Sequence, residues 1–354
     1  DIVDVVSARG RFLGRGYVNP ISQIRVRILT HAEEPIDEPF WMGRLRAALA
    51  LRRRVVADTT AWRLVFSEGD LLPGLMVDCY GDVLVMQTLT AGADRRREML
   101  ADLLQHLTGA AAIYLRNDAR SRALEGLARE QGFIRGSGAT AIDIQEGPAR
   151  FRVDIARGQK TGWFCDQREN RLAVAPLTRG LRVLDVFCHT GAFGIQAAAA
   201  GAASVLGVEA SAEAVAAAQA HALRNGVADR CTYRQADAFE ELRRLDAVGW
   251  RADVIILDPP AFARTKAAVP RALAGYKEIN LRAIKLLPPE GILVSCSCSW
   301  HVDEAMFWGA VLDAARDAGR DLRLIEFRSQ ARDHPMLAAM PETRYLKCLV
   351  LQVF

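Results

Sequence analysis

The sequence predicts an α/β protein in which a doubly wound, seven-stranded sheet fills the C-terminal part, preceded by a small α+β region and a short β segment. Three observations predict it. Short apolar runs alternate with amphipathic helical stretches from about residue 180 to the end. Four polar residues, Glu209, Asp237, Asp258 and Cys298, stand at the carboxyl ends of such runs, where an open α/β sheet binds ligands. The stretch Val183 to Gly194 reads as strand, small-residue turn and helix, the opening of a Rossmann-like nucleotide-binding unit.

That opening stretch, VLDVFCHTGAFG, organises the rest. Val183 to Phe187 reads as a buried strand, and Ala192 to Ala200 as an Ala-rich helix ended by Gly201. A second strand, Ser204 to Val208, runs into Glu209, placed to accept hydrogen bonds from two ribose hydroxyls. Of the usual phosphate-binding glycines only Gly191 is present, which disfavours NAD or FAD because a pyrophosphate needs close backbone approach at several points. An adenosine without phosphate fits better, and S-adenosylmethionine (SAM) is such a ligand. The expected cofactor residues are Asp185, Phe187, His189, Thr190, Gly191 and Phe193 of the turn, then Glu209 and Ala210, Asp237 and Ala238, and Asp258 and Pro259. For Asp237, contact with an adenine amino group and a helix N-cap are equally good readings.

Length allows more than one core: 354 residues, 51% hydrophobic and 25% charged, read as a soluble globular protein. No long charge-free apolar window suits a membrane span, and the first ten residues lack signal-peptide features. The absent initiator Met reads as a processed or trimmed start. Net charge +4 permits nucleic acid as partner without demanding it. Of the 46 basic residues only five are lysines, Lys160, Lys266, Lys277, Lys285 and Lys347, so each is worth asking about. Seven cysteines without a C-x-x-C pair indicate neither a disulfide framework nor a metal site, and a cytoplasmic location is expected.

In chain order, residues 1 to about 31 read as short strands whose arginines (Arg9, Arg11, Arg15, Arg25, Arg27) make a basic face for RNA or a solvated edge. A linker, Glu33 to Glu38, precedes a helix over Phe40 to Val56. Strands at 63–66, 75–80 and 83–89, a helix at 94–107 and a strand at 111–116 form a β-β-β-α-β region ending near 140. From 147 a hairpin, Ala149 to Ile155, leads into GQKTGWFCDQRENR (158–171), where polar groups crowd beside Trp163 and Phe164. That loop reads as a lid over cofactor and substrate, with Lys160, Thr161, Phe164, Gln167, Arg168 and Arg171 facing them. Helices at 212–225, 271–287 and 304–318 alternate with strands at 231–234, 254–257, 291–296, 322–326 and 345–353.

Chemistry concentrates in two short stretches. In DPPAF (258–262), paired prolines fix φ and hold the Asp258 carboxylate and nearby carbonyls toward the site. Phe262 can stack on a flipped-out base, and Pro260 and Lys266 complete the expected substrate side. Such a loop suits methylation of an exocyclic nitrogen or of carbon. In SCSCSW (295–300), Cys298 lies just past a strand, while Cys296 lies inside it and reads as core. C5 of cytosine becomes nucleophilic when a thiolate adds to C6, which gives Cys298 a role that a nitrogen methyltransferase would not need.

VLDVFCHTGAF, GQKTGWFCDQRENR, DPPAFARTK, GYKEINLRAIKLL, SCSCSW and DHP…PETRYLK (333–347) together resemble the bacterial 23S ribosomal RNA cytosine-5 methyltransferases with a PUA-like N-terminus, over the whole chain. The resemblance implies a partial PUA-like segment over 1–32, a central α+β domain over 33–146 and a SAM-dependent methyltransferase domain over 147–354. It further implies Cys298 as the C6 nucleophile, Asp258 as the partner of cytosine N3, and Glu209 and Asp237 as SAM contacts. The first strands of the PUA domain are expected to be missing. Ala261 stands where two-cysteine RNA cytosine-5 methyltransferases carry a second cysteine, so product release is expected to proceed without one. The expected partner is 23S rRNA, naked or in the large subunit, with homodimerisation left open and no membrane partner. An exocyclic-amino methyltransferase and a non-catalytic SAM- and RNA-binding protein are the alternatives.

Overall fold

The computed structural model describes residues 1–354. The chain forms two compact units: Asp1–Glu146 with Arg152–Cys165 and Arg332–Thr343, and Gly147–Phe151 with Asp166–Ala331 and Arg344–Phe354. Residues 1–32 and 33–146 share the first unit, and two later segments return to it. Hydrogen bonding explains the second return. Arg63 N donates to the Asp333 carboxylate at 2.9 Å and Arg52 Nη2 to the Asp333 carbonyl at 2.7 Å.

In the first unit, β1 (Ile2–Val6), β2 (Phe12–Val18) and β3 (Val26–Thr30) make an antiparallel sheet. Tyr17 on β2 is 3% exposed and donates to the Pro73 carbonyl, joining a core that includes Leu29, Trp41, Leu45, Leu64 and Met86. The basic face expected on these strands is reduced. Arg15 pairs with Asp4 at 2.6 Å, and Arg27 with Glu68 at 3.1 Å and Glu125 at 3.4 Å, leaving Arg9, Arg11 and Arg25 exposed.

Helix α1 (Glu38–Val55) starts where Asp37 accepts from Phe40 N at 3.1 Å and Pro39 occupies the first turn. Then come β4 (Ala61–Phe66), β5 (Leu75–Tyr80), β6 (Val83–Thr88), α2 (Ala91–Asp94), α3 (Arg97–Thr108), β7 (Ala112–Asn117) and β8 (Glu130–Arg135). They form a sheet in that strand order, antiparallel except between β6 and β7, where α3 makes the crossover. The expected β-β-β-α-β pattern thus gains β8. Two further strands follow, β9 (Ala141–Glu146) and β10 (Ala149–Asp154), of which only the second was expected.

The second unit begins with α4 (Arg168–Val174). It continues through β11 (Arg182–Val186), α5 (Ala192–Ala199), β12 (Ser204–Glu209), α6 (Ala212–Arg224), β13 (Cys231–Gln235) and α7 (Ala238–Ala247). It ends with β14 (Val254–Leu257), α8 (Val269–Leu286), β15 (Ile292–Ser297), α9 (Glu304–Ala318), β16 (Leu322–Arg328) and β17 (Lys347–Val353). Strand order is β13-β12-β11-β14-β15-β17-β16, with β17 antiparallel to both neighbours and the other pairs parallel. The order reverses between β11 and β14, which places a ligand crevice at their carboxyl ends.

Burial accounts for the sheet's composition. All four side chains of β14 are 0% exposed, as expected of a parallel strand covered on both faces, and each contributes about 1.5–3 kcal/mol of transfer free energy. Leu184, Ile255, Leu257, Leu293 and Leu351 of the sheet share one core with Tyr276, Ile279 and Ala283 of α8 and Phe307 and Val311 of α9.

Candidate active site

The turn after β11 takes an unusual backbone path. Phe187, His189 and Gly191 all have left-handed φ, at 62°, 49° and 82°. Gly191 is required on two counts, since a Cβ there would also lie 2.8 Å from the Tyr233 hydroxyl. Asp185, last but one in β11, is fully buried; its Oδ2 accepts from Gly194 N at 2.9 Å and its Oδ1 is buried without a partner. Burial pushes its carboxyl up to about 7, and the charges of Asp258 and Glu209 push the same way. Three acids from three strand ends therefore converge on one place.

Glu209 is held before any ligand arrives. His189 N donates to its Oε2 at 3.0 Å and Ser211 N to its Oε1 at 2.9 Å, and each oxygen keeps a lone pair for a hydroxyl donor. Burial lowers the pKa of His189, favouring the neutral imidazole. The Thr190 hydroxyl is buried without a partner, and Phe193 is buried with the Arg171 guanidinium 6.0 Å from its ring centroid. Ala210 offers a carbonyl that accepts from Gln235 at 3.3 Å, and Ala238 is buried as the first residue of α7. Asp237 takes the N-cap reading: its Oδ1 accepts from Phe239 N at 2.9 Å and Glu240 N at 3.1 Å.

On the opposite side of the crevice, Asp258 follows β14 and accepts from Gln167 Nε2 at 2.8 Å. Gln167 Oε1 accepts from Asn170 Nδ2 at 2.7 Å, and Asn170 Oδ1 accepts from Arg328 Nε at 3.0 Å, so a chain of side chains orients the carboxylate. Pro259 is buried and Pro260 exposed. Cys298 stands one residue past β15, half-buried, its thiol 3.9 Å from the Pro259 carbonyl it donates to. The other six cysteines are buried. In Cys296, a hydrogen bond with Cys348 and then burial push the thiol well up, so it is poorly suited to ionise.

Tyr276 of α8 ties this region together. Its hydroxyl shares a hydrogen bond with Ser299 at 2.8 Å and accepts from Ser297 at 2.9 Å, and Ser299 Oγ accepts from Ala263 N at 3.1 Å. Both flanks of Cys298 are thereby linked to the DPPAF loop. Phe262 sits among Tyr276, Phe239 and Phe187 at 4.8, 6.0 and 6.3 Å between centroids, so one side of its ring is already packed. Lys266 is exposed.

The lid reading of residues 158–171 needs correction. Thr161 is 0% exposed and donates to Asp78 at 2.5 Å, and the buried Trp163 donates to Glu146 at 3.0 Å, both inside the first unit. Gln167, Arg168 and Arg171 are buried in the second unit. Lys160, whose ammonium lies 4.5 Å over the Phe164 ring, is exposed together with Gln159, and Phe164 is half-buried. The polar density that suggested a surface loop instead satisfies buried hydrogen bonds. Tyr276, Ser299, Tyr345, which donates to Asp166 at 2.6 Å, and Lys347 were not anticipated as site residues; their partners lie too far away in sequence to be seen.

A seven-stranded sheet with its switch point between β11 and β14, a ribose-ready acid after β12 and a buried carboxylate with one unpartnered oxygen define a SAM-dependent methyltransferase. The family model described as S-adenosylmethionine-dependent methyltransferase matches residues 63–350, and that of a PUA-like domain matches residues 1–31. Ribosomal RNA large subunit methyltransferase I of Shewanella denitrificans is 44% identical over 100% of this chain and 90% of its own length. The protein of the same name from Shewanella amazonensis is 45% identical over 100% and 91%. Among solved structures, SMU.776, a methyltransferase complexed with SAH, superposes with a TM-score of 0.88 over 99% of this chain and 91% of that one at 20% identity, which shows the shared fold. The chain belongs to the ribosomal RNA large subunit methyltransferase I family of SAM-dependent methyltransferases. Its cofactor is SAM. No helix is long and apolar enough to cross a membrane.

Proposed function

We propose that this protein methylates C5 of a cytidine in 23S rRNA through a covalent bond between Cys298 and C6. The observation that carries the reading is Cys298 itself, which alone among seven cysteines is partly accessible and faces the Pro259 carbonyl of the DPPAF loop. The ribosomal RNA substrate follows the names of the relatives.

In this reading the Cys298 thiolate adds to C6, and the electron pair of the C5–C6 bond is delocalised toward N3 and O2 of the ring. Asp258, oriented by Gln167, faces N3 and stabilises there a proton that N3 takes from solvent and returns to it when the thiolate leaves. Bound SAM would supply an electrophilic methyl group to C5, the S–CH3 bond breaking to leave S-adenosylhomocysteine. The C5 proton then passes to water, the C5–C6 double bond reforms and the thiolate leaves. Asp185, Thr190 and Glu209 would hold the cofactor, the first through its unpartnered oxygen and the last through its fixed carboxylate.

The test uses 23S rRNA containing 5-fluorocytidine, incubated with SAM and protein and run on a denaturing gel. Fluorine at C5 cannot leave as a proton does, so the adduct persists. We expect an adduct that is lost in Cys298→Ala and retained in Cys296→Ala. Methyl transfer to ordinary rRNA without any adduct would overturn the C5 reading in favour of an exocyclic nitrogen, for which the DPPAF loop is also suited. Unaltered RNA and SAM binding with no transfer at all would instead support a non-catalytic binding protein.

A further inference from the structure

Lys347 is one of five lysines in a chain with 46 basic residues, and it is 3% exposed. It opens β17 and pairs in register with Ser297, the last residue of β15 before Cys298. Its Nζ donates to three carbonyls: Ser299 at 2.8 Å, Val302 at 2.7 Å and Tyr345 at 2.9 Å. The first two belong to the turn that immediately follows Cys298 and leads into α9, where Val302 N donates to the Ser299 carbonyl at 3.2 Å.

All three ammonium donors are used, and no carboxylate lies in contact with them. Three converging carbonyls suit the compact ammonium; the planar guanidinium common elsewhere in this chain would not meet them together. A buried cation without a contacting anion is costly, and burial pushes Lys347 down to about 8. The charged groups facing it are Cys298 at the end of β15, Asp303 and Glu304 at the start of α9, and Arg344 just before β17. Of these, Cys298 would favour the ammonium most strongly if ionised. Tyr276 also interacts electrostatically with Cys298, and the Pro259 carbonyl of the Asp258 loop accepts from its thiol.

We propose that Lys347 is a positioning residue for Cys298: it fastens the turn behind the thiol and holds one positive charge beside it, so that the thiolate is the favoured form. The effect is reciprocal, since a charge that favours the thiolate is itself favoured by it. On ionisation the thiol proton goes to solvent and the ammonium keeps its three carbonyls. This rests on Cys298 being the nucleophile.

The experiment follows alkylation of Cys298 by iodoacetamide in the full-length chain from neutral to alkaline pH, read by peptide mass. Wild-type Cys298 should titrate below the ordinary thiol value of about 8.5. Lys347→Met should raise the midpoint by about one pH unit or more, equivalent to about a tenfold loss of thiolate at neutral pH. Lys347→Arg, which keeps the charge, should recover most of that shift while slowing turnover through a looser turn. A merely structural lysine would lower the melting temperature without moving the alkylation profile. Equal midpoints in wild type and Lys347→Met, or a wild-type midpoint at or above the ordinary value, would overturn the proposal; should Lys347→Met not fold, the wild-type midpoint decides. The fluorocytidine adduct reports separately: an adduct with an ordinary thiol midpoint defeats the Lys347 role alone, and a lowered midpoint without an adduct defeats the cytosine-5 reaction alone.

Discussion

The Gln167 carboxamide donates to the Asp258 carboxylate at 2.8 Å across 91 residues of sequence. It presents its amide nitrogen because Asn170 occupies its oxygen, so its orientation is set from behind. A hydrogen bond to a charged group contributes about 1.5–3 kcal/mol. Gln167→Ala should therefore lower kcat for methyl transfer by about 10- to 100-fold while leaving the Kd for SAM nearly unchanged. An equal loss in both would mean that Gln167 serves the cofactor.

The two cysteines of β15 and its exit should separate cleanly. Cys298→Ala is expected to abolish transfer and leave the melting temperature close to wild type, because its side chain is only half-buried. Cys296→Ala removes a fully buried sulfur and should cost about 1–2 kcal/mol in urea unfolding, with turnover retained. Transfer surviving in Cys298→Ala would remove it from the reaction.

Asp185 gives the unliganded protein a pH signature. Its carboxyl is raised from 3.8 to about 7, so between these values the folded state binds more protons than the unfolded one. The stability this contributes is complete below about pH 4 and is lost as pH rises through 7. Urea midpoints of the wild type should carry this decline, and Asp185→Asn should lack it. Saturating SAM, whose amino group and sulfonium are cationic, should flatten the wild-type slope. A slope unaffected by SAM would place the cofactor away from Asp185.

Gly191→Ala meets two obstacles: a φ of 82° and the Tyr233 hydroxyl 2.8 Å from the new Cβ. Left-handed backbone alone costs an alanine about 1–2 kcal/mol. Isothermal titration should show SAM affinity weakened by about tenfold or more. Adding Tyr233→Phe should restore part of it if the steric contact matters, and none if the backbone angle accounts for the whole loss.

Much of the second unit was legible because its signals are local. Continuous apolar runs located β11, β12, β14 and β15 within a residue or two, and Glu304–Ala318 was read to the residue. Helix α7 has no bounds in the sequence reading, although the N-cap alternative for Asp237 implies it and Asp237 and Glu240 have the spacing of a capping box. Strand β8 was missed because Gly132 interrupts it, and β9 because Ile142 and Ile144 alternate over too short a span.

What the sequence determined by itself was the succession of strands in the second unit, the crevice-side acids and the candidate thiol, because strand ends and φ-restricted turns are properties of a few neighbouring residues. The tertiary structure decided three further things. It placed residues 332–343 in the first unit through Asp333, since a buried carboxylate needs backbone donors that only folding supplies. It turned the supposed lid into buried hydrogen-bonding structure. It also set Lys347 behind Cys298, a pairing that requires β17 to run antiparallel beside β15, and strand order is the one feature of a sheet that no local pattern encodes.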